Sequence, residues 1–215
     1  MSGFRRAQTI RDAISGRRSI RQYSSDDVSP DTVRRLIGMA VMAPSAHNRQ
    51  PWRFVVVRDA DIKLRLADAM GVRLKNDRTR DGDDPAAIQR DVARSHLRIS
   101  EAPVLLAVCL TMEDMDRYPD ERRNRAEFLM AVQSTAVAVE NLMVAASGEG
   151  LGTCWMCAPL FCPDVVRAVL ELPAAWEPQA LVTLGRPAGV AKQKPRKPLD
   201  EVVVIAGLDP ASHPG

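Results

Sequence analysis

The sequence predicts a mixed helix and sheet fold, α+β or α/β, from three observations. The chain has 215 residues, 46% of them apolar and 27% charged, which suits one compact core. Short apolar runs with strand character alternate with amphipathic helical stretches. Their order is mixed and not strictly βαβ, and no G-x-G-x-x-G follows a strand, so a Rossmann dinucleotide site is not expected.

In chain order, Ala7 to Ser15 reads as a short helix. Ser29-Pro30 then supplies an N-cap and a first-turn proline for an apolar stripe running to Ala40. Trp52 to Val57 is aromatic and β-branched and reads as a strand. Asp61 to Met70 is helical, Asn76 to Pro85 is dense in Asp, Arg and Gly and reads as a mobile excursion, and helix resumes from Ala86 to Ile99. The wholly apolar run Val104 to Leu110 is expected at the centre of the sheet. Glu127 to Ser147 is apolar nearly all round, as a helix buried on most sides would be. Thr153 to Met156 and Gln179 to Leu184 read as strands, with a short helix at Pro163 to Leu170 between them. Leu199 to Ile205 has a strand pattern that would pair with the chain's own sheet or with that of a partner.

Thirty basic and 27 acidic side chains leave a net charge of +3, too small a bias to imply nucleic acid or membrane. Aromatic residues are 4% of the chain, too few to give stacking platforms for single strands. No apolar run reaches the roughly 18 to 20 residues of a membrane span and no signal-peptide core is evident, so a cytoplasmic protein is expected. The cysteines, at 109, 154, 157 and 162, read as reduced thiols. Cys154, Cys157 and Cys162 lack a second ligand knuckle for zinc, so no metal site is expected from them. The pair Cys154 and Cys157 follows a glycine turn and not a helix N-terminus, which disfavours dithiol chemistry.

Four segments carry chemistry. Arg17-Arg18-Ser19-Ile20-Arg21 offers three guanidinium forks and a hydroxyl, a donor set matched to phosphate. Ala43 to Trp52 is a polar loop pinned by two prolines; it can present Ser45, Asn48 and Gln50 to a flat heteroaromatic ligand. Gly150 to Ala158 allows close backbone approach and sets Trp155 and Met156 as an apolar wall. Lys194-Pro195-Arg196-Lys197-Pro198 is a basic, proline-stiffened loop able to complete a phosphate cradle.

In this order the four segments resemble the FMN-dependent nitroreductase family, from Ile10 to Ile205. The family's R-R-S-x-R-x-[FY] element is met by Arg17 to Tyr23, and its A-P-S-x-x-N-x-Q-P-W element by Ala43 to Trp52. The G-L-G-x-x-W element and the basic K-x-R-x-P loop follow. The resemblance implies an α+β fold with a mostly antiparallel central sheet flanked by helices, in an intertwined homodimer holding FMN at each subunit interface. It implies that Arg17, Arg18, Ser19, Arg21, Lys194 and Arg196 grip the ribityl phosphate. Pro44, Ser45, Ala46, Asn48 and Gln50 would come from the other subunit. Trp155, Met156 and the backbone of Cys157 and Ala158 would face the flavin ring, and Arg94 or Arg98 its pyrimidine edge. Cys157 stands where other members often carry Gly or Glu. The charged stretch Val72 to Arg90 is expected to form a mobile cap within one domain spanning residues 1–215.

The function implied is ping-pong electron transfer from NADH or NADPH to a small electron-poor acceptor such as a nitroaromatic or quinone. No catalytic side chain stands out. The alternatives are a carrier or sensor of the same fold without turnover, or a cofactor-biosynthesis relative. Of the latter, the dimethylbenzimidazole synthase branch resembles R-R-D-x-R at the first element, and Ser19 argues against it. The branch fused to a glutamate ligase needs a longer chain.

Overall fold

The computed structural model describes residues 9–189, 191 and 194–206. Its centre is a four-stranded, wholly antiparallel sheet of β1 (Trp52–Val57), β2 (Val104–Thr111), β3 (Gly152–Met156) and β4 (Trp176–Gly185), ordered β1-β2-β4-β3. Around it lie α1 (Ile10–Gly16), α2 (Pro30–Ala40), α3 (Ala60–Arg80), α4 (Pro85–Ser100), α5 (Glu121–Gly148) and α6 (Pro163–Val169). This is an α+β architecture, as expected.

Alternation along β2 divides the core into two layers, because successive side chains point to opposite faces of the sheet. Val104, Leu106 and Val108 join Leu36 and Ala40 of α2 and Val139, Leu142 and Met143 of α5. Leu105 and Ala107 join Leu66 and Met70 of α3 and Val166 of α6. All eight residues of β2 are buried, which explains its unbroken apolar run.

The helix starts obey side-chain capping. Thr9 and Asp12 form a reciprocal capping box at α1, and the Ser29 hydroxyl accepts from Thr32 N–H ahead of Pro30. Asp59, Asp84 and Asp120 cap α3, α4 and α5 in the same way.

Three expectations are corrected. The excursion at Asn76 to Pro85, and with it the loop reading of Val72 to Arg90, is instead the tip of a helical hairpin. α3 continues to Arg80, a turn through Gly82 at φ 80° reverses the chain, and α4 starts at Pro85. The charge density that suggested a loop is spent in ion pairs: Arg78 bonds Asp83 at 2.6 Å and Asp91 at 2.5 Å, across the two helices. Leu199 to Ile205 does not join the chain's own sheet; it forms a 3-10 turn at Leu199–Glu201, and Val204 beyond it is 95% exposed. α5 begins at Glu121 and contains a stretch long and apolar enough by composition to cross a membrane, contrary to the run-length reading. Packing explains that composition, since α5 lies against α1, α2 and three strands. Ala7 and Gln8 of the expected first helix lie outside the described residues.

Candidate functional site

A cleft of about 890 Å³ lies between the Arg17–Gln22 segment, one face of α4 and the residues Gly189, Ala191, Lys194 and Arg196. Three contacts staple the arginine segment to the sheet. Ser19 bridges Thr153 in parallel register, and Ile20 N–H donates to Thr153 O at 2.8 Å. Ile20 is buried so tightly over Gly152 that a Cβ there would lie 2.6 Å from its side chain, so this glycine is required by contact and not by backbone angle. Tyr23 donates its hydroxyl to Ile20 O at 2.8 Å and shares a 2.6 Å hydrogen bond with Thr183 Oγ1. Burial pushes this phenol well above its ordinary range, so it remains a neutral anchor.

Eight cations line the cleft: Arg17, Arg18 and Arg21 from the stapled segment, Arg90, Arg94 and Arg98 from α4, together with Lys194 and Arg196. Glu101 is the acidic residue among the lining side chains. Arg17 pairs with Glu140 on α5 at 3.3 Å, and Arg18 folds onto the carbonyls of Ser15 and Arg17 at 2.6 and 2.7 Å. Arg21 donates to Ser19 O at 3.2 Å and lies against the Cys154 thiol. A guanidinium carries five N–H donors, so most of this donor capacity is uncommitted. Arg98 is half-buried, and neither an ion pair nor a hydrogen bond meets it among the described residues. Desolvation and then the neighbouring Arg21 charge lower its pKa, the mark of a cation awaiting an anion.

Seven of these cations were expected, together with Ser19: Arg17, Arg18, Arg21, Lys194 and Arg196 from motifs, and Arg94 and Arg98 from the family resemblance with no motif to anchor them. Arg90 was missed, although its spacing of four from Arg94 and eight from Arg98 already puts all three on one helix face. Gln22 and Leu97 also line the cleft without having been singled out.

The other expected site residues lie elsewhere. β1 starts beside the end of β2, with Trp52 opposite Leu110, whereas Thr153 pairs with Leu184 at the far end of the sheet and across its width. With strands about 4.8 Å apart and about 3.4 Å per residue, the turn before β1 and the cleft are separated by roughly 25 Å. Pro44, Ser45, Ala46, Asn48 and Gln50 therefore do not line the cleft of their own chain. That turn is self-contained: Ser45 Oγ accepts from Gln50 N–H at 3.0 Å, and Ala46 N–H donates to Ser134 Oγ on α5 at 3.2 Å. His47, Asn48 and Gln50 hold φ values of 50°, 54° and 50°, left-handed backbone that non-glycine residues adopt at some cost. Asn48 and Gln50 are exposed.

Trp155 and Met156 do not form one wall. They alternate across β3, Trp155 packing on the α2/α5 side and Met156 on the α3/α6 side. Trp155 Nε1 is buried without a hydrogen-bond partner. Cys157 is exposed, and Ala158 borders a smaller, separate cavity of about 300 Å³ shared with Met70, Leu74 and Phe161. Cys154 is buried, and burial raises its thiol pKa despite Arg21 and Arg98 nearby. A dithiol catalyst needs the opposite shift.

The donor set of the cleft fits a phosphorylated ligand, and its volume suits a mononucleotide.

Comparison with known proteins agrees with this geometry. Residues 14–186 match the nitroreductase family. An NADH dehydrogenase of Thermus thermophilus is 32% identical over 87% of this chain and 91% of its own length. A 5,6-dimethylbenzimidazole synthase of Rhodospirillum rubrum is also 32% identical, over 80% of this chain and 78% of its own. Among solved structures, a BluB-like flavoprotein from Clostridium difficile 630 superposes with a TM-score of 0.80 at 26% identity, covering 93% of this chain and 99% of that one. A Desulfovibrio desulfuricans protein described as a nitroreductase, in complex with FMN, gives 0.70 at 25% identity, over 94% and 99% of the two chains. With a family match over most of its length and a helix-flanked antiparallel sheet carrying the arginine cleft, the chain belongs to the nitroreductase family.

Proposed function

We propose that this chain is an FMN-dependent oxidoreductase that moves electrons from NADH or NADPH to a small electron-poor acceptor, a quinone or nitroaromatic, by ping-pong kinetics. The observation that carries the proposal is the eight-cation cleft, whose uncommitted guanidinium donors suit a phosphate dianion. Bound there, FMN would supply the two-electron redox chemistry, accepting electrons from the nicotinamide and releasing them to the acceptor.

The protein's own work is binding and electrostatics. Arg17, Arg18, Ser19, Arg21, Lys194 and Arg196 hold the phosphate. Arg98, with Arg94 on the same helix face, offers positive charge where negative charge would accumulate on the ring. Because roughly 25 Å separates the cleft from the turn before β1, a separation longer than the ligand, Pro44, Ser45, Ala46, Asn48 and Gln50 serve the cleft of a second copy. The functional unit is then a homodimer, and the exposed Leu199–Ile205 segment is free to pair across it. The backbone at Cys157 and Ala158 borders the ring side, Trp155 and Met156 being sent to opposite layers by strand alternation, and the α3–α4 hairpin caps the acceptor. One domain spans residues 1–215. Four free cysteines agree with a cytoplasmic setting.

A second reading has specific support, since the dimethylbenzimidazole synthase relative has the same 32% identity as the dehydrogenase, over a shorter share of both chains. Ser19 is the residue that separates the two. The test is steady-state oxidation of NADH and NADPH with an added quinone or nitroaromatic, with the flavin spectrum followed throughout. Many turnovers with an unchanged spectrum are expected. A single reduction without turnover indicates a carrier, and progressive loss of flavin absorbance under air indicates the synthase-like reading.

A further inference from the structure

A second set of reactive groups lies near the turn before β1, at the opposite end of the sheet from the cationic cleft. His47 in that turn, Asp116 in the connection between β2 and α5, and Glu127 on α5 each bring one ligand atom within 4.8 Å of the others. Glu127 is only 3% exposed, and its Oε2 has no hydrogen-bond partner among the described residues. One turn further along α5, Ala131 packs with Leu110 and Met115 in a small apolar cluster. A carboxylate buried in such surroundings is costly unless a cation or a donor meets it. The Arg49 guanidinium pairs with Asp116 Oδ1 at 2.6 Å and does not reach Glu127 Oε2.

We propose that His47, Asp116 and Glu127 bind a divalent transition-metal cation of the Zn²⁺ or Mn²⁺ class. Two carboxylates balance the ion's charge, and the imidazole nitrogen favours a transition metal over Mg²⁺ or Ca²⁺. Bonds of about 2.1 Å place neighbouring ligand atoms roughly 3 to 3.5 Å apart, so the three groups must close by about 1 to 2 Å. Buried Glu127 is the fixed member; exposed His47 and half-buried Asp116 supply the movement. Asp116 can keep Arg49 on one oxygen and offer the other. Three protein ligands leave a position open to water, and the ion ties the left-handed turn to α5. Nothing in this site depends on flavin.

The test uses the full chain stripped with EDTA, titrated with MnCl₂ by electron paramagnetic resonance and with ZnCl₂ by thermal unfolding. One Mn²⁺ per chain and a metal-dependent rise in Tm are expected. Glu127→Gln and His47→Ala should each weaken binding at least about tenfold. His96→Ala, whose ring sits on Asp68 at 3.0 Å in the α3–α4 hairpin, should leave it unchanged. Should Glu127→Gln fail to fold, His47→Ala decides. Absence of stoichiometric Mn²⁺ binding, or binding untouched by His47→Ala, overturns the proposal. So does a Glu127→Gln variant that alters oligomeric state with no metal dependence in the parent, since the cation meeting Glu127 would then be a protein side chain.

Discussion

The cleft beside α4 and the turn before β1 are both polar, yet they are built in opposite ways. In the cleft, like charges crowd together: Arg98 is half-buried beside Arg21, and most guanidinium donors remain uncommitted. In the turn, Ser45 closes on Gln50, Ala46 is held by Ser134, and Arg49 is paired with Asp116. The first region is electrostatically unfinished and asks for an anion. The second presents groups already hydrogen-bonded or paired, held at three left-handed residues whose cost is about 1 kcal/mol each. One chain sets them at opposite corners of its sheet, so a ligand that uses both must draw on two chains.

The sharpest way to break this contrast is charge reversal in the cleft. Arg21→Glu removes a phosphate donor and introduces repulsion, and should weaken FMN binding by about 100-fold or more, measured by fluorescence titration. Asn48→Ala in the turn should cost about tenfold or less by the same measurement, because a neutral hydrogen bond is worth about 1 kcal/mol. Equal losses would erase the distinction.

Complementation sharpens the division of labour. Arg21→Glu and Asn48→Ala chains unfolded and refolded together should show about a quarter of their sites binding FMN with parental affinity, which neither shows alone. Half of the randomly paired dimers are mixed, and each mixed dimer holds one intact composite site. No recovery would mean that each chain serves only itself.

A smaller effect is expected from the floor of the cleft. Gly152→Ala puts a methyl group 2.6 Å from Ile20 and should cost about 1–3 kcal/mol, a fall of roughly 2–10 °C in Tm, with weaker FMN retention because the arginine segment is displaced. An equivalent loss of stability without any change in FMN retention would uncouple the staple from the cleft.

The mildest effect concerns pH. Burial pushes Cys109 up to about 12 and Cys162 to about 11, against 9.0 for an exposed thiol. The folded chain keeps these protons after the unfolded chain has lost them, so this contribution is full below pH 9 and declines as pH rises from 9 towards 11 to 12. Urea unfolding at pH 7, 9 and 10 should show stability falling over the upper interval, and Cys109→Ser should flatten that fall. At pH 8 exposed Cys157 alone should react rapidly with a thiol reagent.

Much of this was legible from residue order. The apolar runs at Trp52 to Val57 and Val104 to Leu110 became β1 and β2 because side-chain period and branching fix a strand locally. The arginine segment and residues 194–196 were legible as clusters of donors, and the structure brings them to one cleft. What escaped depended on partners distant in sequence. Asn76 to Pro85 looked like a loop because its charges read as solvated, whereas Arg78 reaches Asp91 on the next helix. Leu199 to Ile205 has strand composition, yet it turns at Leu199–Glu201 and joins neither edge of the sheet. Trp155 and Met156 looked like one wall, and strand alternation sends them to opposite layers.

The most direct measurement is to incubate the purified chain with FMN, pass it through a gel-filtration column and record the visible spectrum of the protein peak. A yellow peak of dimer size with one FMN per chain, lost in Arg21→Glu, is the expected result. A colourless peak with all the FMN eluting as free small molecule would show that the arginine cleft is not a flavin phosphate seat.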